Sequence, residues 1–349
     1  MRRTPALPRV DEAERLATYP PPFPNGWYAL CHADEIARGE ARFVEAFGEK
    51  LVLFRGENGG LGVLDAYCPH LGANLAGGRV REGCLECPFH RWTFAANGQV
   101  EHIPYAERVP SSLRTRAWPV REHHGMVVMW FARREPGVAA PLEPDWQLEP
   151  LEAIDAGKLV YRGRHDAGVV RMHLCEFAEN SADHRHFAPL HGDMFLPWTR
   201  IKLPGAKVLH EASWEADPDR AHIAYFHDEA VLQLFGRVLP RSGAKATITF
   251  YGPGGIVTFR IESPDLGTLV MFQTHLPEGP MAQRVRFHWY ANPEMPRPVV
   301  SYVVGNWVAQ WREDIAIWEN KIFRPKPMLV AGDGPVHQMR RWFSQFYAA

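Results

Sequence analysis

Between residues 26 and 132, short apolar, β-branched and aromatic runs alternate with turns that contain Gly or Pro. The runs are Trp27 to Cys31, Lys50 to Phe54, Leu61 to Tyr67 and Met126 to Phe131. Bounded in this way they predict strands, and the stretch reads as a small all-β domain. From Ala132 to Pro150 the chain is rich in Pro, Glu and Ala and loses apolar periodicity, which predicts a linker. Ala167 to His191 has mixed helical character. Long β-rich runs follow: Ala221 to Phe226, Thr247 to Tyr251, Ile256 to Ile261, Leu269 to His275 and Val285 to Tyr290. Gly252-Pro253-Gly254-Gly255 between two of them predicts a hairpin. Helical spacing returns from Pro298 to Phe323, with Pro298 suited to a first turn. On a helical wheel Val300, Val304, Trp307, Trp311, Trp318 and Ile322 fall within roughly 60° of one another and predict a buried stripe. The fold class is therefore α+β: an N-terminal all-β domain over 26–132 after an extension over 1–25, a linker over 133–150, and a sheet packed on a long helix over 151–349.

Composition removes other classes. With 349 residues, 46% hydrophobic and 23% charged, the chain supports packed cores rather than disorder, and its length favours two domains. A net charge of −1 gives no reason to expect nucleic acid or an anionic surface. No apolar run approaches the ~20 residues of a membrane span. Residues 1–19 mix charge with proline where a secretory signal would be apolar, so the cytoplasm is the expected compartment. Five cysteines, an odd number, argue for metal or redox use of a subset rather than a disulfide framework.

That subset is visible. Cys68-Pro69-His70 and Cys87-Pro88-Phe89-His90 are separated by sixteen residues, and each offers one thiolate and one imidazole. A Rieske [2Fe–2S] cluster takes two thiolates on one iron and two imidazoles on the other, from two such loops. A Cys2His2 zinc site instead keeps its cysteines in one pair and its histidines in another. The residues resemble the Rieske iron–sulfur proteins across most of 26–131. Ala73 and Phe89 stand where the respiratory-complex members carry disulfide cysteines, so the oxygenase branch is the nearer likeness. Cys84 does not fit the motif offset and reads as a structural thiol. Arg91 follows His90 where the family usually has Gly; it either alters a tight backbone approach or pairs with an acid across a subunit interface.

The remaining length explains itself in Glu179 to His191. Asn180, Asp183 and His186 fall at three-residue steps, which predicts one helical face, and Pro189 then breaks the helix and swings His191 back. Two histidines and one carboxylate leave positions open on a non-haem iron. His184 is the rival ligand. Asp314 lies about 50° from the centre of the Trp-rich stripe and Glu313 about 150° away; an acid on that edge is costly unless paired. The likeness to the Rieske oxygenases, whose iron carboxylate lies on this late helix in a similar Asp-x-x-x-Trp context, implies Asp314 as the third ligand, with Glu313 in reserve.

Together the sites and the domain order resemble a Rieske non-haem iron oxygenase α subunit over nearly the whole chain. The resemblance implies a helix-grip catalytic domain, O2 as co-substrate, and a head-to-tail homotrimer in which Asp183 bridges a cluster histidine of one subunit to His186 of its neighbour. Asn180 would lie behind the iron ligands. No dinucleotide fingerprint or plant-type ferredoxin cysteine run occurs, so NAD(P)H is expected to act indirectly, through a flavin/iron–sulfur reductase or a ferredoxin.

The segments Tyr19 to Tyr28, Asp65 to Leu75 and Ile103 to Ala106 are most similar to the cholesterol 7-desaturase group, with 3-ketosteroid 9α-hydroxylases nearby. That likeness implies an apolar substrate, a sterol or steroid nucleus, undergoing C7 desaturation, C4-methyl oxidation during demethylation, or ring hydroxylation. Animal members carry an N-terminal membrane helix that these residues do not show. Phe226, Leu232, Leu234, Phe235, Phe250, Phe259, Met271 and Phe272 are candidates to line a long cavity. An oxygenase for an aromatic or other small apolar substrate and a non-catalytic Rieske electron carrier are the competing readings.

Overall fold

The apolar run Met126 to Phe131 is continuous rather than alternating because its strand is central. In the computed structural model, which describes residues 10–134, 142–265 and 267–347, Met126–Phe131 lies between Gly26–His32 and Val120–His123 in a three-stranded sheet, and all six of its residues are buried. Two four-stranded sheets accompany it. The first is Ala41–Ala46, Glu49–Arg55, Leu61–Asp65 and Ala117–Trp118. The second is Arg79–Arg81, Cys84–Glu86, Thr93–Phe94 and Val100–His102. The start of the expected extension, the middle of the expected linker (135–141) and the last two residues lie outside the described residues.

The chain divides into two compact units. One holds the described residues of 23–150 with Leu276–Gly279, and the other holds the earlier residues, Leu151–His275 and the remainder from Pro280. The second unit is built on a nine-stranded antiparallel sheet. Its order runs from Val160–Val170 through Ala282–Ala291, Gly267–Gly279, Ile256–Ser263, Ala244–Tyr251, Ile223–Leu234 and Lys202–Ala216 to Asp193–Phe195, and the ninth strand, Arg237–Val238, pairs with the end of Ile223–Leu234 off this path. Tyr251 pairs with Ile256 across the glycine-rich turn, as the hairpin signal predicts.

The long helix is Arg297–Trp318, with Pro298 in its first turn. Its stripe packs on the sheet: Trp307 lies 4.6 Å from Phe259 and Trp311 5.3 Å from Phe287, ring centre to ring centre. The helix stops at Trp318, short of Phe323, so Ile322 falls outside the stripe. A second difference is at Ala167–Val170, which ends a strand rather than starting a helix; the helix is Leu174–Ala182, capped by His173 Nδ1 accepting from the Cys175 N–H. The short helix Glu12–Leu16 belongs to this unit too, its buried Arg15 donating to the carbonyls of Lys321, Arg171 and Trp318. Among the described residues no helix is long and apolar enough to cross a membrane.

Candidate metal centres

The two cysteine–histidine loops close in the same way. The Cys68 N–H donates to the Ala73 carbonyl and the Gly72 N–H to that of Cys68; the Cys87 N–H donates to Trp92 and the Arg91 N–H to Cys87. In each loop the fourth residue after the cysteine is left-handed, Gly72 at φ +75° and Arg91 at φ +61°. Arg91 therefore occupies a conformation that glycine takes without strain. Its guanidinium pairs with Glu86 of the same chain at 3.0 Å.

This closure sets the four side chains in two pairs. Cys68 and Cys87 are buried, 3% and 1% exposed, and adjacent. Burial, with the neighbouring Cys87 adding to it, pushes the Cys68 thiol up to about 11. The rings of His70 and His90 lie 4.6 Å apart, and His70 stacks on Trp92 at 4.6 Å and 8°. His90 Nδ1 is buried with no hydrogen-bond partner among the described residues. Two adjoining buried thiols, one of them met by the backbone of His70 and Leu71, and an imidazole nitrogen without a partner suit a two-iron cluster. Cys84 is half-buried at the start of a strand, and its thiol is raised by burial.

The second constellation forms by a different route. The helix ends at Ala182, and Asp183 leaves it at φ −90°, ψ 88°. His184–His186 makes a tight 3-10 turn and Phe187–His191 a wide π-turn that contains Pro189. The single helical face expected for Asn180, Asp183 and His186 is thus broken at Asp183, before the proline. The break still brings His186 and His191 together, their rings 5.1 Å apart at 82°. Asp314, on the long helix and 5% exposed, sits with its Oδ2 3.3 Å from His191 Nε2.

One donor atom from each of His186, His191 and Asp314 lies within 4.8 Å of the others, and among the described residues no other group of three such side chains converges in this way. His191 Nδ1 and Asp314 Oδ1 are buried without partners among the described residues. His186 Nδ1 lies 2.5 Å from the Asp183 carbonyl. That bond makes Nδ1 the donor and leaves Nε2 bare, the tautomer a metal requires. Burial lowers the His186 pKa, an effect that the Asp314 carboxylate opposes. The donor set therefore fits a 2-His-1-carboxylate iron. His184 and the half-buried Glu313 stay outside the triad.

Asp183 turns its carboxylate away, capping the Arg185 N–H at 3.1 Å, with Oδ2 3.8 Å from His186 Nδ1. Asn180 Oδ1 accepts from Trp318 Nε1 at 3.3 Å, tying the two helices together. Two features escape the sequence reading. Gln310, one helical turn before Asp314, donates to the His191 carbonyl at 3.3 Å; that four-residue spacing is the signal that could have found it. The other is a buried ion network: Lys321 Nζ lies 2.6 Å from Glu176 and 2.8 Å from Glu179, and Arg340 lies 2.6 Å from Glu179.

Beside the triad lies a cavity of about 60 Å³, walled by Phe187, Phe226, Phe250 and Trp311 among others. It shares Phe259, Trp307 and Gln310 with a roomier apolar cavity of about 250 Å³. Of the eight cavity candidates, Phe226, Phe250, Phe259 and Leu232 line these spaces. Leu234 and Phe235 do not: the strand ends at Leu234, and Phe235 is 83% exposed in the following turn. Met271 and Phe272 are buried in packing, Phe272 stacked on His288 at 4.5 Å.

Residues 26–113 match the family model of the Rieske [2Fe-2S] domain, and residues 134–347 that of the 3-ketosteroid 9α-hydroxylase C-terminal domain. A cholesterol 7-desaturase of Caenorhabditis elegans is 33% identical over 356 residues, spanning 98% of this chain and 81% of that protein. The oxygenase component of a probable 3-ketosteroid-9-alpha-monooxygenase from Rhodococcus rhodochrous is 29% identical over 367 residues, spanning 95% and 82%. Among solved structures, dicamba monooxygenase bound to dicamba shares the fold with a TM-score of 0.65 at 20% identity, covering 93% of this chain and 97% of that one.

Proposed function

The chain belongs to the Rieske oxygenases with a catalytic domain of the 3-ketosteroid 9α-hydroxylase type, and from that membership we propose that it oxidises a sterol or steroid nucleus with O2. As an oxygenase it is an oxidoreductase with a [2Fe–2S] cluster and a mononuclear iron, which sets aside the pure electron carrier. The observation that carries the substrate is the apolar cavity adjoining the triad through Phe259, Trp307 and Gln310. A rigid, apolar, fused-ring molecule suits such a space, and both curated relatives are named for steroid chemistry.

We assign Cys68, His70, Cys87 and His90, within a domain over 26–132, to the cluster, and His186, His191 and Asp314, within 151–349, to the iron. When bound, the cluster supplies single electrons and the iron supplies the dioxygen chemistry. The protein does the rest. The Asp183 carbonyl holds the His186 ring, Gln310 holds the backbone of His191, and the buried stripe of the long helix fixes Asp314. The aromatic walls exclude water and choose which C–H faces the triad. Electrons reach the cluster from a separate reductase or ferredoxin.

Asp183 is the electron bridge between subunits of a head-to-tail trimer. What supports this is an outward carboxylate, 44% exposed, on a residue whose carbonyl already orients a ligand ring. Because the carbonyl does that work, Asp183→Asn should retain iron while turnover falls about 10- to 100-fold. Full activity in that variant, or in a monomer, would reject the bridge.

The substrate is tested by reducing the iron-loaded protein anaerobically with a generic reductase, admitting O2, and weighing the products of a sterol panel. A product heavier by one oxygen or lighter by two hydrogens is expected from at least one member. Inertness toward all of them, with turnover of an aromatic substrate, would overturn the reading in favour of the smaller substrate class.

A further inference from the structure

The lining of the larger cavity is mostly apolar, with Ser242, Ser263, Tyr302, Asn306 and Gln310 as neutral polar members, and its carboxylate and imidazole side chains are one pair in the sheet. Along Lys202–Ala216 the inward positions are Ala206, Val208, His210, Ala212 and Trp214, and along Ile223–Leu234 they are Ala224, Phe226, Asp228, Ala230 and Leu232. The two-residue period of a strand thus puts an imidazole and a carboxylate where neighbours on both sides are hydrophobic. The register pairs His210 with Ala230 and Ala212 with Asp228, so the two polar residues are diagonal neighbours on one face. His210 Nδ1 lies 2.8 Å from Asp228 Oδ2, with the side chains 8% and 6% exposed. Both residues line the larger cavity. Each keeps one buried polar atom, His210 Nε2 and Asp228 Oδ1, without a hydrogen-bond partner among the described residues. An unpaired buried polar atom costs about 1–3 kcal/mol, so two of them in an apolar wall call for a ligand.

We infer that His210 and Asp228 hold the oxygen substituent of the steroid and select an alcohol over a ketone. This inference rests on the steroid reading above. With Nδ1 donating to Asp228, a neutral imidazole offers Nε2 as an acceptor, and Asp228 Oδ1 is an acceptor as well. A hydroxyl donates to either. It satisfies the pair even when the imidazole is protonated, accepting from Nε2–H while donating to Oδ1. A ketone only accepts, and in either state leaves Oδ1 unmet. The Phe187 ring stands between the anchor and the triad, 5.2 Å from His210 and 5.3 Å from His191, centre to centre. An alcohol held at His210 therefore puts the oxygen-bearing end of the ring system, not a remote side chain, beside the triad.

The test titrates the iron-loaded protein with three steroids identical except at one ring carbon, bearing a hydroxyl, a ketone or only hydrogen, and reads binding by tryptophan fluorescence. The alcohol should bind about tenfold more tightly than the ketone. In Asp228→Asn, whose amide adds a donor, the gap should close or reverse; in the double variant His210→Leu with Asp228→Leu all three should bind alike. Equal binding of alcohol and ketone to the wild-type protein, or a preference unmoved in both variants, overturns the inference and leaves the steroid reading standing. Failure of all three to bind the folded, iron-loaded protein overturns both.

Discussion

At the cysteine–histidine centre all four side chains come from two loops between Cys68 and His90, each closed by its own backbone hydrogen bonds. At the His186, His191 and Asp314 centre two donors come from an irregular turn and the third from a helix far along the chain, brought to 3.3 Å only by packing. The first geometry is stored locally. The second is stored in the core, and everything that positions the long helix against Leu174–Ala182 becomes part of the metal site. A local centre should tolerate damage elsewhere, whereas a packed one should feel it.

The sharpest break in that comparison is a pair of single substitutions. Cys68→Ser should abolish the visible spectrum of the cluster and leave the second unit folded with its iron. Asp314→Ala should lose iron and turnover entirely and leave the cluster spectrum unchanged, and Glu313→Ala should do neither. An intact cluster in purified Cys68→Ser, or iron retained at full stoichiometry in Asp314→Ala, would remove the corresponding assignment.

A smaller effect tests the packed centre from a distance. Lys321 touches neither metal site, but it neutralises Glu176, whose side chain is fully buried. Lys321→Met should leave that carboxylate uncompensated and lower the stability of the second unit by on the order of 3 kcal/mol. Thermal unfolding followed by iron content should show both quantities falling, with the cluster spectrum spared. A melting temperature equal to that of the wild-type protein would show that the network does not hold the helix.

The smallest effect concerns the two matching loops. Arg91→Gly removes a left-handed strain of about 1 kcal/mol and an exposed ion pair worth about the same or less, so denaturant unfolding should move little and the cluster should persist. Gly72→Ala, which adds strain with nothing gained, should cost about 1 kcal/mol. If Arg91→Gly instead loses the cluster, the pairing with Glu86 is structural for the loop.

The same contrast governs how much of each centre is legible in the amino-acid sequence. The cluster loops were legible because the donors, the turn residues and the spacing are all short-range. Met126–Phe131 was legible because a central strand has no polar face to show. His186 and His191 were found by local spacing, although the face they were assigned to does not exist: the backbone leaves the helix at Asp183, and a three-residue step cannot distinguish a continuing helix from a 3-10 turn. Ala167–Val170 misled because a strand end running into a helix carries mixed periodicity. Asp314 required the wheel together with the family likeness, and the wheel holds since its helix is regular. The ion network left no trace because Lys321 and Glu179 are 142 residues apart, and charges at such separation carry no pattern.

The long helix carries a consequence for how such a protein changes over time. Val299, Val303, Trp307, Gln310 and Asp314 recur at spacings of three or four, and all five face the two cavities, with Asp314 at the metal end. At 1.5 Å per residue the stripe is a rule about 22 Å long, with the chemistry fixed at one end and the cavity wall graduated along the rest. A mutation at Val303 or Val299 resizes the space three or four turns from the iron without moving a ligand. Lineages can therefore explore longer, shorter or bulkier substrates by drifting along the far marks, while selection on reactivity acts at the near one.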